Sequence, residues 1–152
     1  MYALIAEKDM SAAKVMQDLL ADCYEVEVTI APTIELVECV LRCNRYDLVF
    51  LNLTLANASN GNGCTLLARL KPLAQGASII VVGDYLDGDH VTTCLNNGAA
   101  AALPKGAYSG DTFKRVCKSV IANRNAEEKF RNMREQIKEV KGEIAMMKPA
   151  AY

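Results

Sequence analysis

The chain has no tryptophan, three phenylalanines and a single histidine. One histidine, His90, removes two- and three-histidine metal sites and weakens any catalytic dyad built on imidazole. No CxxC pair occurs, which excludes zinc-ribbon and thioredoxin-type motifs. Neither charge sign is in excess: a formal net charge of −1 gives no bulk attraction to nucleic acid or to an anionic membrane. No apolar run approaches the roughly 20 residues that span a bilayer. The chain opens on a strand-like segment without a signal-peptide pattern, so a cytoplasmic protein is expected.

What is present is a globular composition. With 152 residues, 51% hydrophobic and 23% charged, the chain has the length of about one domain and can bury a sizeable core. Its six cysteines are Cys23, Cys39, Cys43, Cys64, Cys94 and Cys117. Cys39 and Cys43, four apart, share a helix face, which permits a shared metal or a redox pair. The simpler reading, buried small hydrophobes in a reducing compartment, is preferred.

Strand and helix signals alternate. Residues 2–7 form a short apolar run, and Asp9 then caps a helix with the stripe Ala12, Val15, Met16, Leu19 and Leu20. Residues 24–30 alternate with period two, as an edge strand wetted on one face should. Thr33 caps a second helix with Leu36, Val37, Val40 and Leu41 inward. Residues 47–52 form the third strand, and a helix follows from about Cys64 to Leu70. Ser78 to Val82 is continuously β-rich, the mark of a strand buried on both faces. A helix from about Asp89 ends at Gly98, Ala99 to Leu103 is the fifth strand, and a last helix starts near Ser109–Asp111. Five strands, each followed by a helix, predict an α/β fold with a doubly wound parallel sheet. Ligand chemistry in such a sheet belongs at the carboxyl ends of the strands. Glu7, Lys8, Asn52, Gly83 and Lys105 fall at those ends.

The segment Tyr46-Asp47-Leu48-Val49-Phe50-Leu51-Asn52, the strand Ala3 to Asp9 and the later Ala102-Leu103-Pro104-Lys105-Gly106 together resemble a receiver domain of the bacterial response-regulator family. The likeness covers about residues 1–122, and the Leu-Pro-Lys-Gly ending resembles the NarL-type branch. It implies a flavodoxin-like sheet of order 2-1-3-4-5. It also implies a phosphoryl-accepting aspartate at position 52, an acidic Mg²⁺-binding pair at 7 and 8, a hydroxyl residue at 83 and a lysine at 105. The chain has Asn52, Glu7 with Lys8, Gly83 and Lys105. An amide is not a nucleophile and forms no acyl phosphate. Glu7 with Lys8 and Lys105 leaves one net positive charge where Mg²⁺ needs anionic oxygen. Each charge pair at about 4 Å and an effective dielectric near 20 is worth about 4 kcal/mol, so no metal, cofactor or catalytic residue is expected. Ala102 stands where the family usually has a mobile aromatic, and the segment from Thr54 to Gly63 is longer than the family norm.

The tail carries a second pattern. Phe130, Met133, Ile137, Val140, Ile144 and Met147 are spaced 3, 4, 3, 4, 3, with Ala126 extending the series upstream. This a/d heptad predicts a coiled-coil extension of the last helix over residues 123–148, with Pro149 ending it in a tail of 149–152. β-branched Ile137 and Ile144 at a positions favour a parallel two-stranded homodimer. The expectation is a degenerate, phosphorylation-independent receiver: a dimerising interaction module in bacterial signalling or transcription control, joined to an unidentified signalling partner or output domain. The alternatives are a phosphotransfer receiver using another acceptor, with Asp9 and Asp84 nearby, and a small-molecule or redox sensor. Residues 137–147 also faintly resemble the start of an ANTAR RNA-binding module, but no direct nucleic-acid contact is expected from this chain.

Overall fold

A computed structural model describes residues 1–55, 64–84, 86–104 and 109–147. It divides into two compact units, Met1–Cys117 and Lys118–Tyr152. The first contains a five-stranded sheet, all parallel, in the order β2-β1-β3-β4-β5, with β1 Tyr2–Ala6, β2 Glu27–Ala31, β3 Leu48–Asn52, β4 Ser78–Gly83 and β5 Ala101–Pro104. The helices are α1 Met10–Ala21, α2 Ile34–Cys43, α3 Cys64–Leu70, α4 Gly88–Asn96 and α5 Gly110–Met147. The expected α/β architecture and strand order are therefore present.

The apolar strands at the centre explain the order. Every residue of β3 is buried, as are five of the six in β4, whereas β2 at the edge keeps Glu27 exposed. Strand alternation then sorts side chains to two faces. Leu4, Val49, Leu51, Ile79 and Val81 meet Val37 and Leu41 of α2, Leu67 and Leu70 of α3 and Cys94 of α4 in one core. The opposite parity places Phe50 on the other face, where its ring stacks on Phe113 of α5 with centroids 5.4 Å apart and planes 17° from parallel. A Cβ on Gly110 would meet Leu19 of α1 at 3.2 Å, so the start of α5 lies close against α1.

Caps behave as their residues dictate. Asp9 accepts from the backbone N–H of Ser11 and Ala12, and Thr33 from that of Leu36. Gly98, with φ +99, supplies the left-handed residue beyond α4. That helix starts at Gly88, one residue before the expected Asp89, and Asp87 caps it, accepting from His90 N–H at 2.8 Å. Two expected inward faces turn by one residue. In α1 the buried side chains are Ala13, Met16 and Leu20, and Val15 is 56% exposed. In α2 Val37 and Leu41 are buried and Leu36 is exposed. A helix seated on a sheet buries a narrower stripe than its full apolar content. Strand β2 likewise starts at Glu27, three residues later than the period-two pattern suggested, and β5 starts at Ala101 rather than Ala99.

Among the described residues no helix is long and apolar enough to cross a membrane. The Phe50–Phe113 stack closes the α5 face of the sheet, both rings being essentially inaccessible. Phe113→Ala is expected to destabilise the chain by about 3–5 kcal/mol, read as a lowered urea-unfolding midpoint.

Candidate functional site

Two polar side chains are fully withdrawn from water at the carboxyl edge of the sheet: Glu7, immediately after β1, and Asn52, the last residue of β3. They meet. Asn52 Nδ2 donates to Glu7 Oε2 at 2.5 Å. The other carboxylate oxygen, Oε1, accepts from the backbone N–H of Asp9 at 3.0 Å. Asn52 Oδ1 accepts twice, from Thr54 N–H at 2.9 Å and from Thr54 Oγ1 at 2.8 Å. The Thr54 N–H can only donate, so it fixes the amide oxygen toward the Leu53–Leu55 3₁₀ turn and the amide nitrogen toward Glu7. A buried carboxylate needs donors, and Asn52 is one of them.

Of the remaining expected site residues, the sheet brings Gly83 to the same edge. Gly83 is buried at the end of β4, one position beyond Val82, which is Asn52's register partner. A Cβ there would meet Leu86 at 3.4 Å, ordinary contact, so the space does not demand glycine. Lys8 is exposed and Asp84 is exposed. Lys105 lies outside the described residues, as do residues 56–63 of the long segment after β3 and Pro149 of the tail. Thr54 is the participant that sequence reasoning missed. Its signal was the Asn-x-Thr spacing, in which an Asn side chain reaches the backbone N–H two residues on.

Receiver-like chemistry would require Mg²⁺, and the donor set does not fit it. Both Glu7 oxygens already accept hydrogen bonds, the Asn52 oxygen is committed to Thr54, and the neighbouring Lys8 brings positive charge. Asp9, the nearest other aspartate in sequence, is occupied capping α1.

The cysteines divide evenly, which corrects the expectation that all are buried small hydrophobes. Cys64, Cys94 and Cys117 are buried, while Cys23, Cys39 and Cys43 are exposed. Cys39 and Cys43 face outward on α2, which buries only Val37 and Leu41, and Cys23 lies in the turn after α1. Cys64 and Cys94 touch between α3 and α4, with Sγ atoms 3.4 Å apart. Burial, with the Cys64 contact second, pushes the Cys94 thiol up to about 12. At neutral pH it is held as a thiol, the unreactive form.

No family model matches the sequence, and no curated protein matches it. Solved structures do. A CheY-like response regulator receiver domain protein from Methanospirillum hungatei JF-1 is 23% identical, with a TM-score of 0.67 over 83% of this chain and 97% of that one. NtrX from Brucella abortus, in complex with ADP, gives a TM-score of 0.75 at 15% identity over 88% of this chain and 29% of that one. The fold is that of a response-regulator receiver domain. A response regulator from Burkholderia pseudomallei, with a phosphorylated aspartic acid, calcium ion and citrate, matches 99% of this chain and 76% of its own at 18% identity and a TM-score of 0.66. In this receiver fold the buried polar residue at the end of β3 is an amide.

An aspartate at position 52 would face Glu7 carboxylate to carboxylate. Two such groups cannot both ionise at hydrogen-bond distance without cost, so one proton is retained and held more tightly than in the unfolded chain. A raised carboxyl titration contributes stability that is lost as pH rises through it. Asn52→Asp is therefore expected to destabilise the fold at neutral pH by about 2–4 kcal/mol, and by less toward pH 4. Adding Glu7→Gln should return most of the loss by restoring an amide–carboxylate pair. Chemical denaturation of the wild type and the two variants across pH reads this directly.

Proposed function

We propose that the chain belongs to the response-regulator receiver family and acts as a pseudo-receiver, a phosphorylation-independent interaction module in bacterial two-component signalling or transcription control. The observation that carries this reading is the buried Asn52 amide, which donates to Glu7 where a phosphorylatable receiver would offer a carboxylate. The Glu7 and Asn52 oxygens that a metal would use already accept hydrogen bonds from Asn52, Asp9 and Thr54. The coupling parts are altered as well. Gly83 has no hydroxyl, and Ala102 on β5 cannot act as an aromatic toggle. On this reading the protein is not an enzyme and works in the cytoplasm, signalling through its surface and its oligomeric state.

Unit two supports the second half of the proposal. Phe130, Met133, Ile137, Val140 and Ile144 of α5 are between 50% and 66% exposed, and Met147 is 79% exposed, so the heptad seam stands uncovered along the helix. Burying each such side chain is worth roughly 1.5–3 kcal/mol before ordering costs. A second copy of the chain presents the same seam, and the chain is expected to be a homodimer through it.

Incubation with acetyl phosphate and Mg²⁺ should leave the intact mass unchanged. A stable single phosphoryl adduct on the full chain overturns the phosphorylation-independent reading.

Light scattering at micromolar concentration should report a dimer, and Ile137→Asp or Val140→Asp should convert it to a folded monomer. A monomeric wild-type chain would remove the dimerisation role.

A further inference from the structure

The charges beside the seam select its orientation. With Phe130, Ile137 and Ile144 at a and Met133, Val140 and Met147 at d, the e positions are Glu127, Arg134 and Lys141, and the g positions are Lys129, Gln136 and Glu143. All six are exposed on α5. In a parallel pair, g of one helix meets e of the next heptad on the other. That register sets Lys129 against Arg134, like against like, and Gln136 against Lys141. Its one opposite-charge pair is left to residue 148, beyond the last residue of α5.

In an antiparallel pair, g meets g and e meets e. The register that sets Met133 against Ile137 then brings Lys129 against Glu143 and Glu127 against Lys141, each occurring twice by symmetry. Gln136 meets itself, and the single like-charge meeting is Arg134 with Arg134 at the centre. We infer that α5 pairs with α5 of a second copy in this antiparallel register; the inference rests on the homodimer proposed above and reverses the orientation that the β-branched a residues alone suggest.

Side-chain volume agrees. The antiparallel register sets small Ala126 against Ile144 and large Phe130 against Val140, whereas the parallel one stacks Phe130 on Phe130 and leaves Ala126 facing Ala126. A shallow hollow of about 330 Å³ on the helix, lined by Met133, Gln136, Ile137, Val140 and Lys141, has the d, g, a and d residues of a knob-accepting hole. In the antiparallel register it receives Met133 of the second copy. Asn123, an a-position asparagine, joins the β-branched a residues in favouring parallel pairing, but in the antiparallel register it lies at the end of the seam, opposite Met147.

The two orientations predict opposite signs for one substitution. Lys129 has no charged neighbour three or four residues away on its own helix, those positions being Asn125, Ala126, Asn132 and Met133, so K129E changes little within the helix. In the antiparallel dimer K129E turns two attractions into repulsions and should weaken dimerisation about tenfold. E143K should weaken it similarly, although it relieves the like-charge spacing with Glu139, and the double variant K129E/E143K should return to near wild-type affinity. Sedimentation equilibrium on the full chain at low salt measures all four proteins, with circular dichroism confirming equal helicity. Tightening by K129E, or no recovery in the double variant, overturns the antiparallel register while leaving the dimer. A wild-type chain that stays monomeric overturns both.

Discussion

At the carboxyl edge of the sheet a carboxylate and an amide, both shut away from water, are joined by a single short hydrogen bond, and much of what this receiver fold can do follows from it. The Glu7 carboxylate is tolerable inside the protein because Asn52 Nδ2 and the Asp9 N–H donate to it. Asn52 is in turn oriented by Thr54, which takes both lone pairs of its oxygen. Each member is the partner of another, so the cluster behaves as one structural element. On the proposed reading, the strand end that would serve chemistry in a phosphorylatable receiver serves cohesion here.

On the proposed reading this arrangement changes what the fold can transmit. A phosphorylation switch needs a group that gains charge and neighbours that respond to it. An amide at position 52, a glycine at 83 and an alanine at 102 supply neither part. On the proposed reading what remains for signalling is surface, and among the described residues α5 carries an exposed apolar seam. Large side chains at heptad spacing, half or more exposed, are unfavourable for a solitary helix and favourable for a paired one. The proposed role as a constitutive interaction module joins two observations: a buried carboxylate–amide cluster in one unit and an uncovered apolar seam in the other.

Several elements were legible because their information is local. The period-two pattern before Ile30, the continuous apolar run from Ile79 to Val82 and the 3.6-period stripes announced strands and helices within a few residues of their positions. The caps at Asp9 and Thr33 act within three residues of themselves, and both acted as read. The errors also have a local cause. Val15 and Leu36 fit an apolar stripe but face water, because periodicity gives the spacing of a face and not which edge of it the sheet covers. The exposed cysteines of α2 show the same thing: composition favoured burial, and helix rotation decided otherwise.

The sequence by itself determined the class of fold, the polar residues delivered to the strand ends, an amide at position 52 and the heptad along α5. All are properties of residue type and spacing. Only the tertiary structure decided that Asn52 turns its nitrogen to Glu7 and its oxygen to Thr54, that Cys64 touches Cys94, and that Phe50 stacks on Phe113. Glu7 and Asn52 are 45 residues apart in the chain. They meet because β1 and β3 lie side by side in parallel register, with Ala6 opposite Leu51. Sheet order and register are long-range outcomes of burying the whole apolar surface at once, and no local pattern encodes which side chains they bring within hydrogen-bond reach.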